Sequence, residues 1–173
     1  VTIIDARTLK LSKEEVAARL EAFAPDIMGF MMTTYMFQDT LEWIRYLKRK
    51  IDIPVLIGGY NLRVYPEASL SHPEIDYGVV EHALEPVPLL FAALEGRGSL
   101  EDVPGLVYKK DGAIVKNPPR PVMFEDFPSP ARDLLPNDLY AEFPTERKNF
   151  TVMVTSLGCP YGCSFCEAGR TPY

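Results

Sequence analysis

Short apolar runs alternate with helix-like segments along the first half of this chain, and this alternation limits the possible folds more than any other feature. The apolar runs cover residues 1–6, 27–32, 54–57 and 76–80. Segments with apolar residues at helical spacing, or with helix start signals, cover residues 12–23, 39–50 and 86–95. Strands that alternate with helices in this way form right-handed βαβ crossovers. The sequence therefore predicts an α/β fold, a Rossmann-like open parallel sheet with helices on both faces.

The sequence changes character after Gly98. Residues 105–109 and 113–116 are rich in β-forming residues and flank Asp111-Gly112, a dipeptide typical of hairpin turns. We expect an antiparallel pair here that extends or decorates the sheet.

A proline-rich stretch over residues 117–144 predicts a stiff connector. It leads to a last β-rich run at 150–155, which we interpret as the first strand of a barrel that this segment truncates. The predicted organisation is a Rossmann-like domain at 1–98, a hairpin and connector at 99–149, and the start of a barrel at 150–173.

Composition excludes several classes of protein. With 173 residues and 47% hydrophobic content, the chain can bury one full core. Lysine and arginine number 18 against 24 acidic residues, and no run of like charge suggests nucleic-acid binding. No apolar stretch approaches the roughly 18 residues of a membrane span, and no signal peptide is visible, so we expect a cytoplasmic protein. Both ends look like cuts through a longer protein.

All three cysteines fall within eight residues, at Cys159, Cys163 and Cys166. Thiolates on one tight loop can bind three corners of an iron–sulfur cube. The glycines and proline between and beside them allow the backbone to wrap closely: Gly158, Pro160 and Gly162. Three thiolates leave the fourth iron open to a small molecule that carries an amine and a carboxylate.

Two other interpretations of the cysteines stay open. They could bind zinc together with a distant histidine, but His72 and His82 both belong to the predicted first domain. They could also have a redox or structural role. The spacing of all three, with the wrapping residues, favours the cluster.

The cysteine loop, directly after a β-rich run, resembles the first strand and cluster loop of the radical S-adenosylmethionine superfamily. This resemblance implies a [4Fe–4S] cluster on the three cysteines and S-adenosylmethionine with its adenine beside Phe165. The implied reaction is reductive cleavage of S-adenosylmethionine to a 5′-deoxyadenosyl radical, with electrons from a donor such as a flavodoxin or ferredoxin. We expect this segment alone to be inactive, because it holds only one predicted barrel strand.

The preceding residues resemble the cobalamin-binding domain that one class of these enzymes carries. Five stretches support the resemblance by their order: residues 1–6, 54–59, 76–80, 102–106 and 130–136. The resemblance implies cobalamin near Thr33, Thr34, Gly58 and Gly59, since ligands of open α/β sheets bind at the carboxyl ends of strands. On this basis Gly59→Val should weaken binding more than folding. The glycine pair could instead serve only as a turn.

Two departures from the family pattern qualify the cobalamin interpretation. No Asp-x-His-x-x-Gly motif is present, and its strand would precede Val1, so we expect an incomplete pocket with no imidazole below the cobalt. Residues 81–85 read Glu-His-Ala-Leu-Glu where Gly-Glu-Gly-Glu is common. His82, at the end of a predicted strand, is either a surface residue or a ligand or acid.

The resemblance implies an enzyme that methylates, rearranges or cyclises an unidentified small molecule or peptide. Relatives of the anaerobic magnesium-protoporphyrin monomethyl ester cyclase belong to the same family. The alternative is a Rossmann-like docking module that has lost cobalamin binding.

Overall fold

The computed structural model describes residues 1–123, 126–142, 147–155 and 158–166. Its contacts divide the chain into two compact units, Lys13–Arg120 and Val1–Ser12 joined with Pro121–Tyr173. We call these the sheet unit and the cysteine unit. The domain limits predicted at residues 98 and 149 stay predictions.

The sheet unit contains five helices and five strands among its residues, all of which the structure describes. Its helices are α1 Lys13–Phe23, α2 Phe37–Lys48, α3 Tyr60–Val64, α4 Pro66–Leu70 and α5 Pro86–Leu94. Its strands are β1 Met28–Met31, β2 Val55–Gly58, β3 Tyr77–Val79, β4 Leu106–Lys110 and β5 Ala113–Lys116. The longer helices and all of these strands confirm the predicted elements, whereas the short α3 and α4 were not predicted.

The five strands form one mixed sheet in the order β1-β2-β3-β4-β5. The first three are parallel, and β4 pairs antiparallel with both β3 and β5. At the predicted hairpin turn, Asp111 and Gly112 have φ of 51° and 79°, the positive values that a tight primed turn requires. The structure thus confirms the Rossmann-like α/β class and the hairpin.

Helices cover both faces of the sheet. On one face Val79 and Tyr108 pack in a buried cluster with Leu90 of α5. On the other face, a Cβ added to the buried Gly78 would lie 2.7 Å from the side chain of Leu62 in α3. Because successive strand residues point to opposite faces, the sheet is buried on both sides at β3.

The cysteine unit contains little regular structure in its described residues. Two short strands, β6 Ala141–Glu142 and β7 Arg147–Lys148, pair antiparallel. Turns of 3-10 helix cover Arg132–Leu134 and Asn137–Leu139. The strands predicted at 1–6 and 150–155 are wrong, because neither segment is in a strand. A strand requires pairing with a neighbouring strand, and in the described part of the chain neither run pairs with one. No described helix is long and apolar enough to cross a membrane.

Candidate functional site

The carboxyl ends of the three parallel strands meet at one edge of the sheet. The pairing aligns Met31 of β1 with Gly58 of β2, and Gly58 with Val79 of β3. The loops that follow these strands therefore start side by side. We call the three segments at these strand ends together the carboxyl edge. They comprise residues 31–36, 58–63 and 80–82. The structure brings the predicted Thr33-Thr34 and Gly58-Gly59 segments together here.

Backbone hydrogen bonds join the first two loops of the carboxyl edge. The N–H of Met32 donates to the carbonyl of Gly58 at 2.7 Å, and the N–H of Asn61 donates to the carbonyl of Met32 at 3.2 Å. Thr33 begins a turn, since its carbonyl accepts from the N–H of Met36 at 3.1 Å. The two loops are therefore held to each other by their own backbone hydrogen bonds.

Gly59 occupies a position that only glycine fits. Its φ is +100°, and an added Cβ would lie 2.6 Å from the carbonyl oxygen of Met32. A Cβ on Gly58, in contrast, would meet only the carbonyl oxygen of Val79 at 3.8 Å, an ordinary contact. Gly59→Val would therefore also disturb the fold, because the substitution would push apart two bonded loops, and its larger effect on binding stays a prediction.

Buried polar side chains hold the second loop of the carboxyl edge in place. The side-chain amide of Asn61 donates to Ser69 Oγ at 2.9 Å, and Ser69 Oγ donates to the carbonyl of Tyr65 at 2.7 Å. Asn61 and Ser69 are both buried. These bonds tie α3 to α4 and set where α3 begins at the carboxyl edge.

Glu81, two positions after the end of β3, has φ of +66°, a conformation that glycine favours. It is the first residue of the segment that departs from the Gly-Glu-Gly-Glu pattern. The Nε of Arg63, on α3, lies 3.3 Å from Glu81 Oε1, and the two side chains are 14% and 25% exposed. This ion pair offsets part of the free-energy cost of the positive φ at Glu81. It also connects the second and third loops of the carboxyl edge. The neighbouring His82 is partly buried.

Sequence reasoning missed the pairing of Arg63 with Glu81. The departure at residues 81–85 drew attention to the segment, but no pattern in the sequence connects it to Arg63.

Large apolar side chains are exposed at the carboxyl edge. The exposed fractions are 73% for Met31, 98% for Tyr35 and 69% for Tyr60. Single exposed apolar residues are ordinary, but these three all lie in the segments at one edge of the sheet, where ligands of open α/β sheets bind. The Cγ of Met31 would lie 3.2 Å from a Cβ on Gly59, so this side chain lies beside the joined loops.

The cysteine loop presents three free thiols. Cys163 and Cys166 are exposed and Cys159 is partly buried. The N–H of Cys166 donates to the carbonyl of Cys163 at 3.1 Å, which forms a turn, and Phe165 within that turn is 91% exposed. Three thiols on one loop are the donor set of an iron–sulfur site. Among the described residues, however, no three potential ligands are gathered closely enough to hold a metal ion, so the cluster stays a prediction.

The sequence model of the family described as B12 binding domain matches residues 1–90, which include the whole carboxyl edge. The chain belongs to the B12 binding domain family. Its departures from the family pattern thus lie within a B12 binding domain, and the predicted family resemblance is confirmed.

Two relatives match this B12 binding domain chain along nearly its whole length. An uncharacterized methyltransferase of Pyrococcus horikoshii is 34% identical over 173 residues, which are 97% of this chain and 37% of the relative. The anaerobic magnesium-protoporphyrin IX monomethyl ester cyclase of Rubrivivax gelatinosus is 30% identical over 176 residues, with 96% of this chain and 31% of the relative covered. The chain thus spans about a third of the length of these relatives.

Solved structures share the fold of this B12 binding domain chain. The cobalamin-dependent S-adenosylmethionine radical enzyme OxsB, with aqua-cobalamin and S-adenosylmethionine bound, superposes with a TM-score of 0.66 at 19% identity, over 76% of this chain and 19% of OxsB. The radical S-adenosylmethionine methyltransferase TsrM from Kitasatospora setae, with cobalamin and a [4Fe–4S] cluster bound, gives 0.52 at 22% identity, over 61% of this chain and 23% of TsrM.

Proposed function

We propose that this chain is the cobalamin-binding part of a radical S-adenosylmethionine enzyme and that cobalamin covers the carboxyl edge of its sheet. The observation that carries this proposal is the exposed apolar surface of Met31, Tyr35 and Tyr60 at the strand ends. Membership of the B12 binding domain family and the likeness of its fold to OxsB support it.

The carboxyl edge suits a corrinoid in shape and chemistry. A corrin ring has an apolar rim with polar amide arms, so it needs apolar side chains and a few polar groups. Tyr35 and Tyr60 supply apolar area, and the hydroxyls of Thr33 and Thr34 supply hydrogen-bonding groups. The proposed contacts are these residues with the backbone at Gly58 and Gly59.

The cysteine loop completes the proposal. Cys159, Cys163 and Cys166 would hold a [4Fe–4S] cluster, and the exposed Phe165 would cover the adenine of S-adenosylmethionine. When bound, the cluster supplies the electron that cleaves S-adenosylmethionine to a 5′-deoxyadenosyl radical. The outcome would be methylation or cyclisation of a small molecule or peptide in the cytoplasm, with a flavodoxin or ferredoxin as electron donor.

Equilibrium dialysis against hydroxocobalamin tests the proposal. Because the pocket is expected to be incomplete, we expect the chain to retain corrinoid only weakly. Tyr35→Ala or Tyr60→Ala should weaken this binding about tenfold further, since a large apolar side chain contributes roughly 1.5–3 kcal/mol when buried. Phe23→Ala is the matched control. Phe23 is 49% exposed and ends α1, ahead of the amino end of β1. No retained corrinoid at any concentration would favour the docking module instead.

A further inference from the structure

In the cysteine unit, the side chain of Arg132 binds the run that leads to the cysteine loop. Its Nε donates to Thr151 Oγ1 at 3.0 Å, and its Nη2 donates to the carbonyl of Val152 at 2.8 Å. Val152 lies seven positions before Cys159 in the chain. One guanidinium therefore holds two consecutive residues of this run.

The backbone that carries the Arg132 side chain is itself held in place by hydrogen bonds. The backbone N–H of Arg132 donates to the carbonyl of Pro130 at 2.8 Å, and the backbone carbonyl of Arg132 accepts from the N–H of Leu135 at 3.1 Å. The side-chain amide of Asn137 donates to the same carbonyl and to that of Leu135. Pro130 and Pro136 flank the turn and fix their own φ angles. The backbone at Arg132 is consequently well fixed.

The run itself gains little position from packing. Val152, Met153 and Val154 are each exposed by about two thirds or more, at 68%, 73% and 66%. The described residues 150–155 form no strand. Hydrogen bonds such as those from Arg132 must therefore do more to fix this run than they would in a buried strand.

We propose that Arg132 is a positioning residue for the cysteine loop. By fixing Thr151 and Val152, it restricts the run that precedes the loop of Cys159, Cys163 and Cys166 in the chain. The planar fork of arginine suits two adjacent acceptors, which a lysine ammonium cannot match in the same geometry. This inference rests on the proposed function, in which these cysteines hold a cluster.

The test compares Arg132→Ala, Arg132→Lys and Thr151→Val with the wild-type chain. Arg120→Ala is the matched control, because Arg120 is an exposed arginine that pairs with Glu85 within the sheet unit. Two properties are measured: the NMR order parameters of residues 151–155 in the iron-free chain, and the rate at which the anaerobically reconstituted chain loses iron to a chelator. The circular-dichroism melt monitors folding.

We expect Arg132→Ala to lower the order parameters of residues 151–155 and to speed iron loss by less than the roughly tenfold that the loss of a direct partner of a metal ligand produces. Thr151→Val should show a smaller change of the same kind. Arg132→Lys should recover part of the loss. Arg120→Ala should match the wild type, and none of the variants should change the melt of the sheet unit.

The outcomes separate this inference from the proposed function. Unchanged order parameters in Arg132→Ala would overturn the inference whatever happens to the iron, and so would lower order parameters with an unchanged rate of iron loss. A wild-type chain that takes up no iron and sulfide would overturn the proposed function and the inference with it.

Discussion

A Cβ atom on Gly59 would lie 2.6 Å from the carbonyl oxygen of Met32, so the backbones of the first two loops touch where β1 and β2 end. We predict that Gly59→Ala lowers the free energy of unfolding by about 2–3 kcal/mol, because it adds a backbone clash to a strained φ. Urea denaturation followed by circular dichroism measures the change.

Gly58→Ala is the control for this prediction. Its Cβ would make one ordinary contact, with the carbonyl oxygen of Val79 at 3.8 Å, so stability should change by less than about 1 kcal/mol. Equal losses in the two variants would show that the close approach of Gly59 to Met32 is not what requires glycine.

The carboxylate of Asp5 accepts hydrogen bonds from the N–H of Thr8 at 2.9 Å and from the hydroxyl of Tyr140 at 2.8 Å. Burial raises the pKa of Asp5, but these hydrogen bonds outweigh it and hold the pKa below the usual 3.8. The contribution of Asp5 to stability is thus present above pH 3.8 and is lost as the pH falls through the lowered pKa.

We predict that Tyr140→Phe raises the pKa of Asp5, because it removes one of the bonds that favour the charged carboxylate. The loss of stability on acidification should then be smaller and should be complete at a higher pH. Carbon NMR of the Asp5 carboxyl gives the pKa directly. Tyr161→Phe removes the hydroxyl of a tyrosine of the same unit that is 71% exposed, and it should leave the pKa of Asp5 unchanged. Equal effects of the two substitutions would contradict the role of Tyr140.

The three cysteines should bind iron together. We predict that anaerobic reconstitution with iron and sulfide gives an absorbance near roughly 400 nm, from charge transfer between sulfur and iron. Cys163→Ala should abolish this absorbance, while Ser164→Ala, next to it in the same loop, should retain it. A wild-type chain that binds one zinc tightly and takes up no iron would refute the prediction.

The sequence predicted the sheet unit well because burial leaves a periodic trace. Ile44 and Leu47 of α2 are fully buried at helical spacing, and Val55 and Ile57 of β2 alternate into the core. The hairpin followed from Asp111-Gly112, whose positive φ angles are a local requirement of the turn. Such features depend on neighbours in sequence, so they can be read without the fold.

The predictions that were wrong or missing concern features that depend on residues far apart in the sequence. Residues 1–6 and 150–155 have β-rich composition, but a strand depends on a partner that may lie anywhere in the chain or outside it. The role of Gly59 depends on Met32, which is 27 positions away in sequence. The Arg63–Glu81 pair likewise joins two loops that only the sheet brings together. Properties that arise from contacts between distant residues could not be predicted from local patterns.

The position of cobalamin is the central claim, and NMR titration of the isotope-labelled chain with hydroxocobalamin tests it most directly. We predict that the largest amide shift changes occur at the carboxyl edge, in residues 31–36, 58–63 and 80–82. Amides at the opposite edge of the sheet, in residues 50–54 and 74–76, should change little. Shift changes confined to that opposite edge, or none anywhere at the solubility limit of hydroxocobalamin, would contradict the account.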